Sequence, residues 1–192
     1  MDSDDGWVRY SDEEMLINSL EHCVRMWEPA QDDKLNWRWV VFGLHSALQI
    51  AMIMVLKNDL DHFDERSKKR IHQYQEDRGE PRTIEYPEYL RTAEFLVLLD
   101  KLAMKRPDAT LKDFLKQSAT KLHQHRNELM HFGEYGLSIH VQDLRQMLKD
   151  CFLLLKDWIL PHPANVFYGV GSDEKYQKVM NRMSAYLSGT DR

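Results

Sequence analysis

The densest run of reactive side chains is His123-Gln124-His125-Arg126-Asn127-Glu128-Leu129-Met130-His131, followed by Phe132 and Gly133. Three histidines, an arginine and two amides share nine residues. Imidazoles titrate near neutral pH, and a guanidinium grips phosphate through a planar fork of donors. Metal binding, phosphate chemistry and plain structural use are therefore the readings to separate.

Metal binding fits poorly. His123/His125 and His125/His131 lack the i, i+4 spacing of a helical two-histidine site, and no His-Glu-x-x-His occurs. Glu21-His22 has no second histidine four residues away. The expectation is no metal and no cofactor. A second basic run, Arg66-Ser67-Lys68-Lys69-Arg70 with Tyr74 and Arg78 beyond it, could track a phosphate backbone. Asp64 precedes Lys68 by four residues and Glu65 precedes Lys69 by four. These pairs stabilise a helix and point to a solvated helical face.

Arg126 and His131 remain. An arginine and a histidine with four to six residues between them is a cheap pattern: thirteen arginines and nine histidines would give roughly two matches at random. There are three, Arg38/His45, Arg66/His72 and Arg126/His131. Only Arg126 is followed directly by a small amide, Asn127. On an ideal helix Arg126 and His131 point about 140° apart. For both to touch one phosphate, the helix must end or unwind near Met130, and Gly133 signals such an end.

The elements around this run read as helices. Ser11-Asp12-Glu13-Glu14 is a capping box that opens an apolar stripe of Met15, Leu16, Leu20, Cys23 and Trp27, which Pro29 stops. Trp37, Val40, Val41, Leu44, Leu48, Ala51, Met52 and Val55 mark the central helix. Residues 57–87 form a charged excursion with a short helix expected around 64–77. A leucine-rich helix follows over 88–106. Thr110-Leu111-Lys112-Asp113 is a second capping box, opening the helix that carries the motif, with Leu111, Phe114, Leu115, Ser118, Leu122, His125 and Leu129 on its stripe. The next helix is expected from Ile139 to Ile159, and a short amphipathic one, capped by Ser172, carries Tyr176, Val179, Met180, Met183 and Leu187. Together they predict an all-α, up-and-down bundle of four to five core helices over 11–161. A loose N-terminus at 1–10 precedes it, and a tail at 162–192 follows.

Composition agrees with a soluble globular chain: 192 residues, 43% hydrophobic and 30% charged. A net charge of −5 leaves no global basic field, so contact with a polyanion requires a local patch. Cys23 and Cys151 have no ligand spacing and fit buried thiols in a reducing compartment. The acidic start lacks a signal-peptide profile, and the apolar window Trp37 to Leu56 holds Arg38, His45 and Gln49. The expectation is a cytoplasmic protein with no membrane span.

Arg126-Asn127-x-x-x-His131 near the end of a core helix, preceded by a helix containing Gly43-Leu44-His45-x-Ala47-Leu48, resembles a HEPN domain. The similarity spans roughly 35–160. It implies an all-α, metal-independent endoribonuclease acting on RNA as a homodimer, of the kind found in toxin–antitoxin and other defence systems. It also implies a possible antitoxin or regulatory partner. Carried over by position, Arg126 and His131 are catalytic and Asn127 supports them. In the toxin subfamily modified by a nucleotidyltransferase, a tyrosine follows the motif histidine by two residues. Here that position is Gly133, and the nearest tyrosine is Tyr135, so that type of partner is not implied.

The chemistry stands independently. RNA supplies its own 2′-hydroxyl nucleophile once a base removes the proton; arginine suits the charge of the phosphorane. One histidine cannot readily be base and acid in the same step, whereas a two-fold dimer supplies two. Against this stand structural roles: Arg126 paired with a carboxylate such as Glu128, His131 capping its own helix, and His125 hydrogen-bonded in the core or an interface. The alternative function is a non-catalytic helical module that binds nucleotide, RNA or a protein partner.

Overall fold

A computed structural model describes residues 11–76, 90–106, 110–131, 138–161 and 174–188, apart from the side chains of 74–76 and 131. Among these residues the chain is all-α, with no strand beyond an isolated bridge between Phe63 and Thr92. The helices are α1 (Asp12–Trp27), α2 (Pro29–Asp32), α3 (Trp37–Leu56), α4 (Glu65–Glu76), α5 (Phe95–Met104), α6 (Asp113–His131), α7 (Val141–Leu153) and α8 (Glu174–Ser188).

The Ser11 box forms: Ser11 Oγ accepts from the Glu14 amide at 3.1 Å, and Glu14 accepts from the Ser11 amide at 2.8 Å. The second box does not. Lys112 caps α6 instead, its carbonyl accepting from the Lys116 amide at 3.2 Å, because Leu111 packs against the core ahead of the helix. The helix expected from Ile139 begins at Val141 and continues past Leu153 as a π-wound segment, Leu154–Ile159. Ser172, Gly133 and Gly136, read as caps and turns, lie outside the described residues, as does the 1–10 segment.

Helix α3 is the hub. It packs against α1, α5, α6 and α7, and its Val40, Leu44, Leu48, Ala51, Met52 and Leu56 are wholly buried. By length and composition alone it could cross a membrane, but about two-thirds of its apolar window (67%) is buried inside the fold. Helix α8 lies on α1 and adds Val179, Met180 and Met183 to the same core. Both cysteines are buried free thiols, and burial pushes each thiol's pKa up.

Helices α1 and α3 meet most closely at Gly43. A Cβ there would lie 2.7 Å from Cys23 Sγ and 2.9 Å from the Ser19 carbonyl. The carbonyl belongs to a helix backbone and cannot swing aside. Gly43→Ala should therefore cost about 1–2 kcal/mol, as overpacking outweighs the helix propensity gained. A urea midpoint equal to or above wild type would contradict that close crossing.

The charged excursion is anchored to α5 by ion pairs. Leu60, left-handed at φ 59°, ends the turn after α3. The expected Asp64–Lys68 pair does not form: Asp64 Oδ1 accepts from the Ser67 amide at 2.7 Å, and Lys68 pairs with Asp61. Glu65 meets Lys101 at 3.3 Å and Lys68 at 3.7 Å. Lys105 holds Asp61 at 2.6 Å and pairs with Asp59.

These contacts fix helix direction. The start of α5 meets the middle of α3 through Phe95 and His45, and its end meets the turn beyond α3 through Lys105, so the two run parallel. Lys116 pairs with Asp100 at 2.7 Å while His123 stacks on Phe95, so α6 runs antiparallel to both. The C-terminal turns of α6 thus travel toward the N-terminal turns of α3.

Candidate functional site

A buried histidine in an apolar helix must find a hydrogen-bond partner on a neighbour. His45, in the middle of α3, is 4% exposed. Its Nε2 lies 3.0 Å from Nδ1 of His123 on α6. Phe95, at the start of α5, stacks on both rings, with centroids 4.3 Å from His45 and 5.3 Å from His123. Three helices therefore clamp the pair.

From His123 the hydrogen bonds continue along α6. Asn127 Nδ2 lies 3.1 Å from His123 Nε2, and Arg126 Nη1 donates to Asn127 Oδ1 at 2.9 Å. The guanidinium can only donate, which fixes the amide: its oxygen faces Arg126 and its nitrogen donates to His123. His123 Nε2 must then accept, leaving the His123 proton on Nδ1, from where it is donated to His45 Nε2. One direction, Arg126 to Asn127 to His123 to His45, runs through the array.

Electrostatics reinforce that order. Burial, then His123 and Arg126, push the His45 pKa down to about 3. His123 is lowered by burial and by Arg126, with Glu94 opposing. Both rings are neutral near pH 7, as the array requires. A proton on His123 Nε2 would face the Asn127 amide hydrogens.

Arg126 makes no ion pair among the described residues; the expected pairing with Glu128 is not formed. Glu128 instead meets His125 Nδ1 at 3.2 Å on the outer side of α6. His125 is therefore not a core histidine. Asp150, the buried carboxylate between α6 and α7, is satisfied by Ser118 at 2.8 Å and Gln146 at 2.7 Å.

Helix α6 stays helical through Met130 and His131, so the expected unwinding before His131 does not occur. His131 is its last described residue, one turn beyond Asn127, and its side chain lies outside the described set. The structure thus brings Arg126 and Asn127 together within one chain. It adds His45, which by sequence lies in the apolar window of α3, and His123, which by sequence was weighed only as a metal ligand. Their signal was present in the spacing, since His123, Asn127 and His131 recur every four residues, and His45 interrupts an otherwise apolar stripe.

Among the described residues no three His, Cys, Asp or Glu side chains converge as metal ligands would. What the arrangement offers is an arginine with no ion pair among the described residues, held by a neutral polar array against a three-helix junction. Such a group suits binding of a phosphate. No family model matches the chain, nor does any curated protein or solved structure.

Proposed function

We propose that this chain is a HEPN-type, metal-independent endoribonuclease, a cytoplasmic homodimer with a HEPN-like helical bundle. Arg126 and His131 are catalytic and Asn127 positions Arg126. The observation that carries the reading is the Arg126 guanidinium, without an ion pair among the described residues, seated on Asn127, an amide itself locked by the His45–His123 pair. In each cleavage His131 of one copy removes the 2′-hydroxyl proton, and the freed oxygen attacks the adjacent phosphorus. Arg126 offsets the charge of the phosphorane, and the partner's His131 protonates the leaving 5′-oxygen. A helix C-terminus favours the cationic form of a nearby histidine by a few tenths to ~1 kcal/mol, which aids the acid. An antitoxin or regulatory protein is the matching partner.

The test is incubation of single-stranded RNA with the purified chain in EDTA. Products carrying 2′,3′-cyclic phosphate and 5′-hydroxyl ends are expected. Intact RNA, or cleavage that appears only with added divalent metal, would sink the reading.

One observation favours a second reading. Because α6 remains helical, Arg126 and His131 leave it about 140° apart. Both polar atoms of the Asn127 side chain are also engaged within the chain. A non-catalytic module binding nucleotide, RNA or a protein partner would cleave nothing, yet its thermal midpoint would rise with ligand.

A further inference from the structure

Two turns before His45, α3 carries a second such arginine. Arg38 makes no ion pair among the described residues; its Nε is buried without an acceptor, and its guanidinium lies 4.7 Å over the ring of Trp39. Trp39 is 38% exposed, a large value for an indole on the most apolar helix of the fold. Phe42 lies beside it, with centroids 5.8 Å apart, and the His22 ring from α1 meets it edge-on at 6.2 Å.

Beyond His22 stands Arg25, whose Nη2 donates to His22 Nδ1 at 3.1 Å. That bond requires an unprotonated nitrogen, and burial followed by the Arg25 charge lowers the His22 pKa accordingly. Glu21 pairs with Lys175 at 3.1 Å and Glu28 with Arg182 at 3.5 Å; Arg25 lies in the same cleft but forms an ion pair with neither. The exposed ring is thus flanked directly by Arg38 and, through His22, by Arg25, neither of which forms an ion pair among the described residues, in a chain of net charge −5. An acidic peptide would match the guanidiniums but would leave the indole face unused. A base with its phosphate matches both.

We propose that Trp39, Arg38 and Arg25 form a subsite for an unpaired nucleotide of single-stranded nucleic acid. The base stacks on Trp39 and its backbone phosphate meets the guanidiniums. Arg38 and His45 are seven residues apart on one face of α3, and the antiparallel α6 carries Arg126 and His131 toward that end. A strand whose phosphate sits at Arg38 therefore leads toward Arg126. The subsite deepens the ribonuclease reading and rests on it only for that orientation.

The test is fluorescence anisotropy of an end-labelled, fully 2′-O-methylated single-stranded oligonucleotide, which binds without being cut. Trp39→Ala should weaken binding about 5- to 150-fold, and Trp39→Phe should restore most of it. Arg38→Gln and Arg25→Gln should each weaken binding and flatten the slope of log affinity against log salt by roughly 0.7 for each phosphate no longer held. Absence of wild-type binding, as an acidic protein occupant would give, overturns the subsite. So does unchanged affinity in a folded Trp39→Ala, or, should that variant not fold, in both arginine variants. Cleavage of unmodified RNA separates the two ideas. If nothing is cut while Trp39→Ala loses binding, the subsite stands and the ribonuclease reading falls. If RNA is cut and Arg126→Ala alone abolishes cutting, with oligonucleotide affinity unchanged in the Trp39 and arginine variants, the reverse holds.

Discussion

His131→Ala should lower the rate of RNA cleavage in EDTA by about 10²–10⁴-fold, the usual contribution of a positioned acid–base group. In the dimer the single substitution removes both base and acid, so the upper end of that range is expected. Arg126→Ala should cost about 10²–10³-fold, the usual effect of deleting a preorganised donor to a developing oxyanion. Arg126→Lys should not rescue fully, because an ammonium cannot both bond Asn127 and fork onto a phosphate. Wild-type activity should fall on both the acid and alkaline sides, since one histidine must be neutral and its counterpart protonated. Equal activity of wild type, Arg126→Ala and His131→Ala would end the proposal.

How much of this was legible beforehand differs between fold and site. The all-α class followed from helical stripes, because Leu16, Leu20 and Cys23, or Val41, Leu44 and Leu48, do not share a face at the alternating period of a strand. Local capping was less legible. Ser11-x-x-Glu14 formed its box, whereas Thr110-x-x-Asp113 did not, since burial of Leu111 decided where α6 begins. Lys68 chose Asp61 over Asp64 because Asp64 was already committed to the Ser67 amide. The site was half legible. Arg126 and Asn127 stood out by type and adjacency, but the partners that lock them lie 78 residues apart, His45 and His123. No local pattern encodes that contact; it arises only when three helices dock around Phe95. The sequence also invited a metal reading for His123, which instead bonds to His45 and to the Asn127 amide.

The same array makes a prediction about acid. His45 has an ordinary pKa of 6.5 when unfolded and about 3 when folded. A depressed folded value means that the native and unfolded chains bind the same number of protons at this site above pH 6.5. Below 6.5 the unfolded chain takes up a proton that the native chain refuses, so stability falls until the pH reaches the folded value. Folding should lose ~1.4 kcal/mol to His45 between pH 7.5 and 5.5, and ~3 kcal/mol by pH 4.5. His123, also lowered, adds in the same direction. Three carboxylates are lowered as well, Glu14 among them through its hydrogen bonds to Ser11. At Asp61 the upward push of burial is outweighed by hydrogen bonds from Lys105 and Lys68, and Asp64 is held down by its hydrogen bonds to Ser67. Their own loss comes only at more acid pH, which leaves the window from 6.5 to 4.5 to the histidines. His45→Gln keeps a donor and an acceptor but cannot titrate. Its urea-unfolding free energy should therefore be lower than wild type at pH 7.5 and fall less steeply toward pH 4.5, the difference in slope approaching about 1.4 kcal/mol per pH unit. Parallel curves for the two proteins would mean that His45 is protonated in the folded chain. The one-way order from Arg126 to His45 would then be wrong, because a cationic His45 must donate to His123, whose own proton would move to Nε2 and compete with Arg126 for the Asn127 oxygen.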